Sequence, residues 1–238
     1  MPVFQLSHRL EFPPVYLSRE DGLLAVGGDL SSKRLLLAYR MGIFPWYNWD
    51  EPVLWWSPDP RLVLFPSDLK ISRSLKKLMR QGRFNVTMDL AFSDVITACA
   101  NIRLDQNEGT WIGRKMIAAY CRLHDEGFAH SVEAWAGDRL IGGLYGVSIG
   151  SAFFGESMFS YESNASKVAF ASLCGYLIKR DFSMIDCQVK TKHLVSFGAK
   201  EITRSDFLAH LAQSQEKPTF KGIWHYDSEL SGKDNILP

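Results

Sequence analysis

Three side chains in the second half of the chain can do chemistry together. Glu156 stands in Gly155-Glu156-Ser157-Met158-Phe159-Ser160, and Asp186 and Gln188 in Ile185-Asp186-Cys187-Gln188. Both segments have the composition of strands, and side chains at i and i+2 of a strand share a face, so Asp186 and Gln188 are expected to point the same way. If the two strands are neighbours, all three groups converge at one sheet edge. Two carboxyls and an amide gathered there can hold a cation, orient a nucleophile or exchange a proton. The same residues also fit an ordinary solvent face, and composition leaves that alternative open.

A second signal is basic. From Arg61 to Arg83 there are seven Lys and Arg (Arg61, Lys70, Arg73, Lys76, Lys77, Arg80, Arg83) against the single acid Asp68, a net charge of +6 that leaves −5 for the remainder. A face of this kind suits phosphate contacts, though a solvated helix face would read alike. Trp46, Trp55, Trp56 and Trp111 lie in loop-like contexts where an aromatic can stack on a base, or can belong to the core. Cys99, Cys121, Cys174 and Cys187 show no CxxC, and no HExxH occurs, so neither a zinc site nor a disulfide framework is expected. A Cys187–His193 nucleophile pair has no more support than any other such pair. Gly142-Gly143-Leu144-Tyr145-Gly146 does not match GxGxxG, and nothing matches GxxxxGK[ST].

The elements that must position these groups fall into two regions. Up to about residue 61 the chain reads as a small N-terminal domain of loops and turns, punctuated by glycine and proline, with a short helix at Leu35–Arg40. Residues 62–238 read as a larger α+β domain. Ile71, Leu75, Leu78 and Met79 form the apolar stripe of a helix whose opposite face carries Arg73, Lys76, Lys77 and Arg80. A strand at Phe84–Met88 and helices at Ala91–Ala100 and Arg114–Glu126 follow. Ala136-Gly137-Asp138 signals a hairpin between His130–Trp135 and Arg139–Val147, and Ser151–Met158 supplies a third strand. Asn164 is expected to cap a helix reaching about Arg180. Met184–Val189, Lys192–Phe197 and Phe207–Ala212 complete a mixed central sheet with flanking helices.

The bulk numbers agree with a globular protein: 238 residues, 27 Lys and Arg against 26 Asp and Glu, and 46% hydrophobic residues. The longest uncharged stretch, Leu140 to Gly155, has sixteen residues including five glycines. It is shorter than the roughly 20 apolar residues of a membrane span, and it lacks the flanks of a signal peptide.

Taken together, the chain resembles the leucyl/phenylalanyl-tRNA–protein transferase family. The resemblance rests on Gly27-Gly28-Asp29-Leu30, Gly42-Ile43-Phe44-Pro45-Trp46, Trp55 through Arg61, and Glu108-Gly109-Thr110-Trp111-Ile112. It continues through His130-Ser131-Val132-Glu133, Gly142–Gly146, Gly155–Ser160, Asn164-Ala165-Ser166-Lys167 and Ile185–Gln188. It implies a cytoplasmic aminoacyltransferase that moves Leu or Phe, and Met less readily, from aminoacyl-tRNA to a protein with N-terminal Arg or Lys, marking it for N-end-rule degradation. It also implies a C-terminal GNAT-type N-acetyltransferase-like domain. No cofactor, metal or membrane is implied, and a monomer is expected.

Carried over by position, Trp46 and Trp111 would hold the 3′-terminal adenosine. Leu144, Phe153, Gly155, Met158, Leu173 and Ile185 would surround the donor side chain; Leu144 and Leu173 replace the Met and Phe of well-known members. Asp186, Gln188 and Glu156 would carry the reaction, with Asp186 orienting Gln188, Gln188 aligning the amine or ester carbonyl, and Glu156 holding the cationic acceptor end. Arg73, Lys76, Lys77, Arg80 and Arg83 would meet tRNA. Two other readings stay open. An acetyl-CoA-dependent N-acetyltransferase is disfavoured because Tyr161–Lys167 has no glycine for a pyrophosphate loop. A tRNA-binding adaptor without catalysis is the other.

Overall fold

Short apolar runs near the start of the chain pair with one another rather than remaining loops. The computed structural model describes residues 3–48, 51–105 and 111–226, side chains excepted at 103–105. Strands β1 (Phe4–Leu6), β2 (Leu23–Gly27), β3 (Phe44–Pro45) and β4 (Leu54–Trp56) form a small sheet in the order β1-β2-β4-β3. The expectation of loops and turns is corrected here: runs of two to five residues broken by Gly and Pro are too short to display alternation. Helix α1 (Ser32–Arg40) covers this sheet, its start capped by Ser31, whose hydroxyl accepts the Arg34 N–H.

The large sheet is built from β5 (Arg61–Leu64), β6 (Asn85–Met88), β7 (Ala129–Ala136), β8 (Arg139–Ile149), β9 (Ala152–Ser160), β10 (Met184–Gln188) and β11 (Lys200–Ile202). Their order is β11-β5-β10-β9-β8-β7-β6, and only β9 and β10 run parallel. The expected mixed sheet and small N-terminal unit are therefore present. Two strands were not legible: β5 is four buried residues without alternation, and β11 is three residues long.

The described residues also form helices α2 (Arg73–Arg80), α3 (Phe92–Asp105), α4 (Arg114–Asp125), α5 (Ala165–Ile178), α6 (Lys192–Ser196) and α7 (Arg204–Gln215). α3 and α4 pack on one face of the sheet and α5 on the other, giving a core on each side. α5 is apolar almost all round and correspondingly buried. Asn164 does not cap it as expected. Its backbone is left-handed (φ 70°) and its side chain makes no cap bond; the Ser160 hydroxyl instead accepts the Ser166 N–H at 3.3 Å. The glycine run lies inside β8. A Cβ at Gly146 would sit 2.2 Å from the Phe154 carbonyl and 2.5 Å from the Phe153 ring, so glycine is what allows β9 to approach.

Candidate active site

The site lies where β9 and β10 part. They pair only through Met184, Ile185 and Asp186 with Ala152, Phe153 and Phe154. Beyond that point each strand carries one extra residue. On β9, Ser157 faces Tyr145 and Gly155 faces Gly146, leaving Glu156 as a bulge. On β10, Asp186 faces Val63 and Gln188 faces Leu62, leaving Cys187 as a bulge, and Gln188 adopts φ 61°.

An extra residue inverts the two-residue alternation of a strand. Phe153 and Met158, five positions apart, consequently lie in the same core beneath α5, while Phe154 and Phe159 lie in the opposite one. A cavity of about 660 Å³ opens on this face. All six predicted pocket residues, Leu144, Phe153, Gly155, Met158, Leu173 and Ile185, line it, and so do Glu156 and Gln188.

Glu156, Asp186 and Gln188 do come together, but not by simple i, i+2 alternation. Gln188 Nε2 donates to Glu156 Oε1 at 2.9 Å. Asp186 Oδ1 accepts the Gln188 backbone N–H at 2.9 Å. Asp186 is itself fully buried and gripped by Arg61, whose Nε and Nη2 donate to its two oxygens at 2.9 and 2.7 Å. Asp186 thus carries no uncompensated charge into the cavity.

Glu156 faces two phenols. Tyr39 from α1 donates to its Oε1 and Tyr120 from α4 to its Oε2, each at 2.8 Å, and the two hydroxyls also contact one another. Three oxygen–oxygen contacts need three protons, and two phenols supply two. When Glu156 is protonated, its O–H can donate to one phenol, which frees that hydroxyl to donate to the other. Burial pushes the Glu156 carboxyl up to about 7, with the charge of Asp186 adding to the rise and the bonds from Tyr120, Tyr39 and Gln188 opposing it. Burial likewise raises both tyrosines well above their ordinary value, so they remain donors.

Cys187 and His193 both line the cavity, yet burial pushes the thiol upward and its Sγ is directed to the Ile185 carbonyl at 3.8 Å. That is an inert thiol. Trp46 is 46% exposed and tilts against Trp56 at 5.9 Å, and Trp111 is half-buried against the core. Neither is among the residues lining the cavity. Glu108-Gly109-Thr110, which precede Trp111, lie outside the described residues. Trp55 and Trp56 are strand residues rather than loop residues; Trp55 is buried, its indole N–H donating to Gly27 O at 2.9 Å.

The basic run divides. Leu75 of α2 turns inward, and Arg73, Lys76, Lys77 and Arg80 surround a shallow depression of about 340 Å³. Arg83 stands apart from it, 3.5 Å from Glu162. Arg61, counted with the surface charges from sequence, is instead buried at the site. Arg61, Tyr39 and Tyr120 are the bonded neighbours of Asp186 and Glu156 that sequence reasoning missed.

The sequence has known relatives. The family model described as leucyl/phenylalanyl-tRNA protein transferase matches residues 63–212, and that of its N-terminal domain matches residues 28–59. The chain belongs to this family. A leucyl/phenylalanyl-tRNA–protein transferase of Desulfatibacillum aliphaticivorans is 60% identical over 96% of this chain and 98% of its own length. One from Syntrophobacter fumaroxidans is 55% identical over 96% and 97%. Among solved structures, L-PGS from Bacillus licheniformis matches 89% of this chain and 64% of its own with a TM-score of 0.42 at 8% identity, too distant to bear on function. The family match at residues 63–212 includes the whole of β9 and β10, and therefore both bulged strands.

Proposed function

We propose that the chain transfers leucine or phenylalanine, and methionine less readily, from aminoacyl-tRNA to proteins with N-terminal Arg or Lys. The observation that carries this reading is an apolar cavity ending at a buried carboxyl–amide pair, in a chain of this family. The walls at Leu144, Phe153, Met158, Leu173 and Ile185 suit the donor side chain. Met158 adapts to branched or aromatic guests because a thioether side chain is flexible. Trp46 and Trp111 hold the terminal adenosine, and Arg73, Lys76, Lys77, Arg80 and Arg83 meet the tRNA backbone.

The reaction is aminolysis. The acceptor's α-amine attacks the ester carbonyl, a C–N bond forms, and the ester C–O bond breaks as the ribose hydroxyl leaves with a proton. An α-amine of pKa about 7.7–8.0 is already partly neutral near pH 7, and good positioning contributes up to about 7–11 kcal/mol. Gln188 cannot take the amine's proton. With Nε2 committed to Glu156, its carbonyl oxygen is the end left to align the amine, while Glu156 holds the cationic acceptor end. Residues 1–61 are read as the N-terminal domain and 62–238 as a GNAT-type catalytic domain, a kinship supported by the parallel β9–β10 pair with α5 crossing between them. The Ser166 amide, near where a CoA pyrophosphate would bind in such a fold, is already bonded to Ser160.

A cytoplasmic monomer leading its products to N-end-rule degradation completes the reading. No described helix is long and apolar enough to cross a membrane. The deciding experiment is transfer of labelled Leu, Phe and Val from their tRNAs to an Arg-initiated peptide. Leu and Phe transfer without Val is expected. Salt-dependent tRNA binding without transfer would establish an adaptor instead, and tight saturable acetyl-CoA binding an acetyltransferase.

A further inference from the structure

We propose that Arg61 is a positioning residue of the transfer reaction, acting through Asp186 on the backbone of Gln188. The inference rests on the reading of Gln188 given above. Arg61 opens β5 and is 1% exposed. Its guanidinium lies between two rings, 4.6 Å from the centroid of Phe44 and 4.7 Å from that of Phe207. A planar cation in such a slot has its orientation set from both sides.

The slot is assembled from distant parts of the sequence. Phe44 belongs to β3 of the small sheet and Phe207 to α7 near the end of the described chain. They meet because Gly42 has no side chain: a Cβ there would lie 2.8 Å from the Phe207 ring and 2.9 Å from Leu208, and the backbone is left-handed (φ 72°). Gly42-Ile43-Phe44 is therefore a device for holding a guanidinium.

What Arg61 holds is Asp186, through a two-point contact that fixes the plane of the carboxyl. Asp186 Oδ1 then accepts the Gln188 N–H. That bond stabilises the φ of 61° at a residue other than glycine, where strain has to be offset by its surroundings. The bulged, left-handed Gln188 is what brings its amide to Glu156. Arg61 is not among the residues that line the cavity, so its effect is expected on alignment rather than on affinity.

The test is a double-mutant cycle between Arg61→Lys and Gln188→Ala, read as steady-state transfer with each protein checked for cooperative unfolding. Lysine keeps the charge and loses the fork and the stacking. Arg61→Lys is expected to lower kcat about 10- to 100-fold, the cost of a misplacement near 1 Å, with donor KM within about twofold. In the Gln188→Ala background the same substitution should lower kcat by less than about threefold, because its target is gone. A folded Arg61→Lys protein with wild-type kcat, or an equal loss in both backgrounds, overturns the proposal. If Arg61→Lys does not fold, Phe207→Leu, which removes one wall of the slot, is judged by the same two criteria. Wild-type transfer by Gln188→Ala alone would instead overturn the reading of the site, a result distinguishable from failure of Arg61 alone.

Discussion

Gln188 and Glu156, bulge-associated residues on two different strands, meet through a 2.9 Å bond from the Gln188 amide to Glu156 Oε1. The amide can donate to an ionised carboxylate in only one orientation, so this bond also decides which end of Gln188 is free to face the cavity.

Glu156 should give the transfer rate its pH dependence. With its carboxyl pushed up to about 7, the wild-type rate is expected to rise through pH 6–8 with an inflection near that value. Glu156→Gln should retain only the inflection of the acceptor amine at about 7.7–8.0. A pH–rate profile with a peptide acceptor checks this. An unchanged inflection near 7 in the variant would remove Glu156 from the rate-determining ionisation.

Stability should respond to the same group. Above its ordinary value of 4.5 an unfolded glutamate has lost its proton, whereas the folded chain keeps it to about 7. The resulting stabilisation is complete at low pH and is lost as pH rises through the folded value, a swing of ~3 kcal/mol. Glu156→Gln abolishes the swing, so its denaturation midpoint should gain on wild type between pH 5 and pH 8. Parallel midpoints at both pH values would contradict it.

Replacing Gln188 with Ala, or Asp186 with Asn, should lower kcat by about 10-fold or more with little change in donor KM. Asp186→Asn is also expected to reduce stability, because it leaves the Arg61 charge buried and unpaired. Near-wild-type rates for both would leave proton transfer to the substrates themselves.

Neutralising Lys76, Lys77 and Arg80 should weaken tRNA binding and reduce the slope of log K against log salt by roughly 0.7–0.9 for each phosphate that is no longer neutralised. Binding measured at several salt concentrations decides it; unchanged affinity would mean that the depression on α2 is merely solvated.

Leu173→Phe should narrow the cavity and shift the choice of donor towards leucine. An apolar pocket discriminates by about 1–3 kcal/mol per methylene, so a change of roughly 10-fold in the Leu/Phe ratio of kcat/KM is expected. Competition between the two charged tRNAs measures it.

Much of this was legible in the sequence. The α2 stripe was legible through periodicity, the β7–β8 hairpin through its Ala136-Gly137-Asp138 turn and α5 through the four-residue spacing of Ala165, Ala169, Leu173 and Leu177, and the six residues that line the cavity followed from the resemblance. The small sheet, β5 and β11 were not, since strands of two to five residues carry too little pattern. Arg61 was misread for a physical reason: sequence charge counts assume solvent, and nothing local shows that a carboxylate 125 positions away removes this one from the surface. Tyr39 and Tyr120 stand in no motif that sets them apart from the other residues of their helices. Neither bulge could be seen either, because an extra residue becomes visible only against its partner strand.

Those bulges also say what kind of change the site can survive. Alternation along β9 and β10 is offset by one at Glu156 and at Cys187, so the site is specified by a count of residues as much as by their kinds. Removing a single position there would restore regular pleating and turn Met158 away from Phe153, with every other side chain kept. Length in these two strands is consequently under tighter constraint than composition, and an insertion or deletion of one residue should be more damaging than most substitutions beside it.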